Sequence, residues 1–158
     1  MRKSFVRNKL KKKVMNNTKD ILSKYKSIAM IGVSNDPTKA STIVMKYMQN
    51  YGYKVYPINP SAKGQKILGE EVFEKITDIK EPVEIVDVFR PSREALEIAK
   101  DTIKIEAKVL WLQLGIKNAE AKLIVESNNI EYIEDRCTKM EYQKHFLKIR
   151  QAFPVLQN

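Results

Sequence analysis

The 158-residue sequence holds one cysteine, one histidine and five glycines, and each scarcity closes off a class of protein. A lone thiol, Cys137, cannot form an internal disulfide, which suits a reducing compartment. With His145 as the only imidazole, no Cys/His zinc cluster can be assembled. No apolar run approaches the ~20 residues that span a bilayer. The first residues also lack the apolar core of a secretory signal. The few glycines never form G-x-x-x-x-G-K-[ST], so a P-loop is absent.

Positive charge is plentiful but localised. The formal net charge is +10. Residues 1–26 carry ten Lys or Arg against Asp20 alone, whereas residues 27–158 carry nineteen against eighteen acids. The body is therefore nearly neutral, and affinity for polyanions would belong to the leader. "MRKSFVRNKLKKKV" reads as a nucleic-acid-binding arm, a transit-like segment or a start-site extension, with Met15 as a second start. Residues 1–14 are expected to be dispensable for folding. The expected organisation is a basic leader over 1–17, one domain over 18–150 and a tail over 151–158.

From Ser27 onward, short apolar runs alternate with amphipathic stretches. That pattern predicts an α/β, Rossmann-like three-layer sandwich: about five mainly parallel strands with helices on both faces. The strands are expected at Ile28–Val33, Tyr53–Pro60, Val83–Phe89, Ala107–Gly115 and Ile130–Asp135. A first helix capped by Thr18 precedes them, with Ile21, Leu22 and Tyr25 on one face. Helices are then expected at Ser41–Tyr51 (ended by Gly52), Pro91–Lys104, Asn118–Asn129 and from Thr138 through Phe153.

In such a fold, functional residues collect in loops after the carboxyl ends of strands. "GVSNDP", "NPSAKGQ", "FRPSR", "LQLGI" and "DRCTK" are those loops. Gly32 permits a tight turn, with Val33 and Ser34 able to turn N–H groups outward and the Ser34 hydroxyl able to donate to a phosphate. Ser41 reads first as a helix cap. Ordinary dinucleotide binding is disfavoured: Ser34 and Pro37 stand where the fingerprint needs glycines, and Asn59-Pro60 follows the second strand where an acid is needed. Lys63 stands in that loop instead, a cation suited to extra phosphate, though alone it is an ordinary solvated charge. Coenzyme A, with its pyrophosphate and 3′-phosphate, fits. Arg90 can fork two hydrogen bonds to a phosphate or simply sit exposed at a helix start.

"IAMIGVSNDPTKAS", "GYKVYPINP", "ILGEEVFEKITDI", "VEIVDVFRPS", "AKVLWLQLGI" and "DRCTKMEY", in this order, resemble the small CoA-binding domain proteins. These are similar to the N-terminal CoA-binding domain of the succinyl-CoA synthetase alpha subunit. The resemblance runs roughly from Asp20 to Phe146. It implies that Gly32, Val33, Ser34 and Asn35 meet the pyrophosphate and ribose, and that Lys63 is a CoA-binding lysine. It further implies that Val88, Phe89 and Arg90 line the adenine and phosphate side, and that Leu112, Gln113, Leu114 and Gly115 form a turn touching the cofactor.

The expected function is binding of coenzyme A or an acyl-CoA without catalysis, in the cytoplasm, through an unidentified protein partner. Organelle targeting by the leader is left open. The synthetases' phosphorylated histidine lies in a further domain, and His145 reads as a surface or packing residue. No Ser/His/Asp set and no paired carboxylates suggest hydrolysis. Trp111 and Phe89 read as core. Asp87, interrupting an apolar strand, reads as a holder of a loop N–H before it reads as an acid. An enzyme acting on a CoA thioester, or a CoA mixed disulfide through Cys137, is the first alternative. There Arg136 and Lys139 would lower the Cys137 thiol pKa. A nucleotide-binding protein touching nucleic acid through the leader is the second.

Overall fold

The structure, a computed structural model, describes residues 17–148, so the leader, its second start and the end of the chain lie outside the described residues. Helix α1 (Thr18–Lys24) leads into β1 (Ser27–Ile31), followed by α2 (Ala40–Asn50) and β2 (Lys54–Ile58). After a two-residue ribbon, Lys66–Ile67 against Glu70–Glu71, come β3 (Ile85–Val88) and α3 (Ala95–Lys104). Then β4 (Val109–Leu112), α4 (Ala119–Ser127), β5 (Glu131–Ile133) and α5 (Thr138–Tyr142) follow, and a π-helical turn over Gln143–Leu147 ends the described elements.

The five strands form one parallel sheet in the order β2-β1-β3-β4-β5. Phe73 adds a parallel bridge to Ile58 on the outer edge of β2, the position that the third strand of a Rossmann half takes. The strands are apolar along their whole length because both faces are covered. On one face Ile28, Met30, Ile85, Val109 and Trp111 pack with Ile21 and Leu22 of α1 and Met45 and Met48 of α2. On the other, Val86, Val88, Leu110 and Leu112 pack with Ala95, Ala99, Ala121 and Val125 of α3 and α4. Chain order reverses between β1 and β3, and their carboxyl ends diverge around a crevice.

Fold class and strand order of appearance agree with the sequence reading, but several local expectations need correction. The strands are shorter than expected; β1 stops at Ile31 because Gly32 turns to φ 90°. Asn17, not Thr18, caps α1, its Oδ1 accepting from Lys19 N–H at 2.9 Å. Thr18 is buried instead, donating to Glu141 at 2.8 Å and lying 2.8 Å from His145 Nε2. That contact ties α1 to the C-terminal helix and gives His145 a packing role. A 3-10 turn over Ser92–Glu94 precedes α3. The last helix loses α geometry after Tyr142, where Tyr142 and Phe146 stack at 4.7 Å beside Tyr51, and Lys148 turns left-handed at φ 48°.

Candidate functional site

A cleft of about 440 Å³ opens at the carboxyl edge, in the crevice between β1 and β3. Gly32 and Ser34, Asn59 to Ser61, Arg90 and Glu94, and Ile98 of α3 line it, with Glu74 at its rim. A larger depression of about 780 Å³ lies at the amino edge, among Lys54, Glu81, Glu84 and Lys108. It contains none of the strand-end loops, and parallel sheets bind ligands at the opposite edge.

The floor of the cleft is built by backbone economy. A Cβ on Gly32 would stand 2.9 Å from the Phe89 carbonyl oxygen and 3.0 Å from Arg90 Cδ. Its glycine is thus required by the close crossing of the β1 and β3 turns, with positive φ adding a second reason. Asn59 staples the neighbouring loops: its Nδ2 donates to the Val33 carbonyl and its Oδ1 accepts from Ser61 N–H, each at 2.9 Å. Sequence reasoning took Asn59 only as a strand stop. An Asn two residues ahead of a serine after Pro, the signature of a side-chain-closed turn, was the available signal.

Ser41 corrects two expectations together. Lys39 is the N-cap residue of α2 and makes no side-chain cap bond, so Ser41 lies in the first turn. Its hydroxyl accepts the Ser34 N–H at 3.2 Å, which turns that N–H inward. The Ser34 carbonyl is held by Thr42, and its Oγ accepts from Asp36 N–H at 3.0 Å, leaving the hydroxyl hydrogen to donate outward. Asp36 in turn accepts from Thr38 N–H and hydroxyl, contacts that lower its pKa. Asn35 lies on this same loop without lining the cleft, and the Val33 side chain is buried in the core.

Both expected cations hold carboxylates. Arg90 forks onto Glu94, Nη2 to Oε2 at 2.9 Å and Nε to Oε2 at 3.1 Å. Lys63 meets Glu74 at 3.3 Å. All four side chains are more than a third exposed, so these pairs contribute only about 0–1 kcal/mol each and exchange readily. An anion of higher charge can displace either carboxylate.

The remaining expected residues lie over β3 and β4. Val88 and Leu112 are buried in the core, and Phe89 packs partly buried against it. Leu114 is exposed, and Gly115 N–H donates to Asp135 at 2.7 Å. Gln113 is buried, its Nε2 donating to Asp87 Oδ1 at 2.6 Å and to Thr138 Oγ1 at 3.0 Å. Thr138 also bonds Asp87, at 3.1 Å. Asp87 therefore holds a side-chain amide and a hydroxyl beside the Val88 backbone N–H, where a loop N–H alone was expected. Its complete burial raises its pKa to about 7, against the lowering by those donors. Trp111 is buried, as read, and donates to the Arg136 carbonyl at 2.7 Å.

Cys137 is half-buried beside this network and packs against the core. Burial raises its thiol pKa and Asp87 adds to the rise, outweighing Lys139; the expected lowering is reversed. Among the described residues, no group of three or more His, Cys, Asp or Glu is placed to hold a metal ion. No helix among them is long and apolar enough to cross a membrane.

The cleft thus presents the Ser34 hydroxyl, one exchangeable cation, Arg90, and a turn held open by glycine; Lys63 does not line it and reaches it only through its partner Glu74. Its volume falls in the range of small-molecule sites.

The "Uncharacterized protein YneT" of Bacillus subtilis is 34% identical over 124 residues, covering 78% of this chain and 90% of that protein. The ADP-forming acetate–CoA ligase of Methanocaldococcus jannaschii is 30% identical over 120 residues, 71% of this chain but 17% of the ligase. A solved structure from Thermus thermophilus, cell-free ID.343, superposes with a TM-score of 0.77 at 34% identity, covering 80% of this chain and 95% of that one. Residues 26–143 match the family described as CoA binding domain, and this chain belongs to that family.

Proposed function

We propose that the chain is a cytoplasmic module that binds coenzyme A or an acyl-CoA along the carboxyl edge of its sheet, without catalysis of its own, and acts through a protein partner. The observation that carries this reading is the pair of exposed ion pairs, Lys63–Glu74 and Arg90–Glu94, whose carboxylates line the crevice at the switch point. A ligand with several phosphates can take both cations at little cost. Ser34 would donate its hydroxyl to the pyrophosphate, with Gly32, Val33 and Asn35 shaping the turn around it. Lys63 or Arg90 would meet the 3′-phosphate. Val88 and Phe89 support the nucleotide side, and the turn Leu112, Gln113, Leu114 and Gly115 would touch the cofactor, with Leu112 and Gln113 acting from buried positions beneath it. We assign Cys137 no chemical part: it is half-buried against the core, and that burial raises its thiol pKa.

Calorimetric titration with coenzyme A, dephospho-coenzyme A and NAD tests the proposal. Binding of coenzyme A that weakens about tenfold without the 3′-phosphate is the expected result, the worth of one charge-assisted hydrogen bond. NAD bound in place of coenzyme A would overturn it.

A further inference from the structure

Away from the cleft, we propose that the outer face of α2 and α5 is a docking surface for a bilayer of anionic phospholipids, one that holds the chain at a membrane surface without crossing it.

The face combines apolar edges with charge of one sign. Along α2 and its cap, Ile43, Tyr47 and Tyr51 recur at four-residue steps and so share one side of the helix. α5 packs alongside, and an aromatic stack runs across the seam. Its centroids are 4.8 Å apart from Tyr47 to Tyr51, 4.7 Å from Tyr51 to Tyr142 and 4.7 Å from Tyr142 to Phe146. Ile43, Tyr51 and Met140 are 43%, 39% and 39% exposed, whereas most large apolar side chains are buried.

Four lysines stand beside these residues on the same two elements: Lys46, Lys139, Lys144 and Lys148. No ion pair among the described residues holds any of them. Lys139 instead lies over the Tyr47 ring, 5.4 Å from its centroid. α2 carries no acid. α5 and its π-helical turn carry only Glu141, which is occupied by Thr18 at 2.8 Å and Arg136 at 3.2 Å. Next to α5, α1 adds Lys19 and Lys24 against Asp20. The preceding chain joins α1 at Asn17, beside the Thr18–His145 contact. Residues 1–16 hold seven Lys or Arg and no acid, so their charge is tethered next to this face.

That combination suits a lipid surface. Unpaired lysines without carboxylates among them select on sign alone, where a specific protein partner is registered by charges of both signs. Tyrosine rings settle at the headgroup level of a bilayer, and lysine stems lie along apolar surface while their ammonium groups reach phosphates. Single-stranded nucleic acid needs open ring faces. Here the faces are spent on one another and, at Tyr47, on Lys139. Apolar burial and attraction to anionic lipid act together, and salt reverses the second.

Sedimentation of the full chain with vesicles tests the proposal. Phosphatidylcholine alone is compared with a mixture of about three parts phosphatidylcholine to one part phosphatidylglycerol. Binding to the anionic vesicles in low salt is expected, with little to the neutral ones. Lys46→Glu/Lys144→Glu should weaken it at least about tenfold, because each lysine at the surface contributes. The same change of charge across the sheet, Lys100→Glu/Lys122→Glu on α3 and α4, should cost under about threefold. Ile43→Ser/Met140→Ser should weaken binding about fivefold through lost apolar burial. All six side chains are exposed, and an unchanged urea midpoint verifies each fold. Failure of the wild type to bind anionic vesicles would overturn the proposal and leave this face to an acidic protein. Equal losses in the two lysine pairs would overturn it too, since net charge would then bind without regard to face. So would unchanged binding in Ile43→Ser/Met140→Ser, which would put the apolar edges outside the contact.

Discussion

The two halves of the carboxyl edge are held by opposite means. Around the β1/β3 crevice and beyond β2, polar side chains are exposed and grip one another through Arg90–Glu94 and Lys63–Glu74, contacts that exchange at a cost of ~1 kcal/mol or less. Over β3, β4 and α5, Asp87, Gln113 and Thr138 are each buried and bonded to the other two. Such a network is costly to break and therefore fixed. The first half can release its charged groups to an incoming ion, whereas the second cannot rearrange without losing buried bonds.

Gly32 is where the halves meet, and changing it should have the largest effect. Gly32→Ala sets a methyl group 2.9 Å from the Phe89 oxygen at a φ of 90°. A loss of roughly 2–4 kcal/mol in urea unfolding is expected, together with loss of ligand binding. An unchanged midpoint would show that the turns are not locked together there.

Asp87→Asn sharpens the contrast next. Because the folded pKa of Asp87 is raised from 3.8 to about 7, its contribution to stability is full below about pH 4 and lost as pH rises through about 7. The variant carries no such penalty. Its unfolding free energy should match the wild type near pH 4 and exceed it at pH 8 by roughly 2 kcal/mol, with a ceiling near 4. A gap that ignores pH would mean that Asp87 does not ionise in the folded chain.

How much of this was legible beforehand divides along the same line. The sheet, its helices, the Asn118 cap and the left-handed Gly52 follow from local pattern, because apolar period and cap chemistry act over a few residues. Three of the five expected loops meet in the cleft, since parallel topology dictates where strand ends gather, whereas the loops after β4 and β5 do not line it. Partners distant in sequence were not legible. Nothing near Arg90 or Lys63 says that Glu94 and Glu74 will hold them, and Ser41 reads as a cap until Ser34 is seen to donate to it. Asp87 announced itself as an anomaly in an apolar strand, but its partners lie 26 and 51 residues away. Thr18 failed for the same reason, drawn inward by Glu141 and His145 across the whole domain.

Among the exposed cations, Arg90→Ala and Lys63→Ala should each lower coenzyme A affinity about tenfold while changing stability by under about 0.5 kcal/mol. The one that meets the 3′-phosphate will be the one whose loss leaves dephospho-coenzyme A affinity unchanged. If both variants bind as the wild type does, the cleft's cations are surface charge and nothing more.

The smallest effect discriminates most finely between a captured and a fixed half. Glu94→Gln removes the charge that Arg90 must leave when an anion arrives, without removing Arg90. As an exposed pair four residues apart, it should alter stability by no more than about 0.5 kcal/mol. Since the ion pair competes with the ligand, its loss should tighten coenzyme A binding by about twofold to fivefold, the equivalent of that same fraction of a kilocalorie to one. The gain should shrink in high salt, where the exposed pair is already screened. Weaker binding in Glu94→Gln would mean the opposite arrangement: Glu94 holds the guanidinium in its binding position, and the β1 half of the edge is as fixed as the Asp87 network.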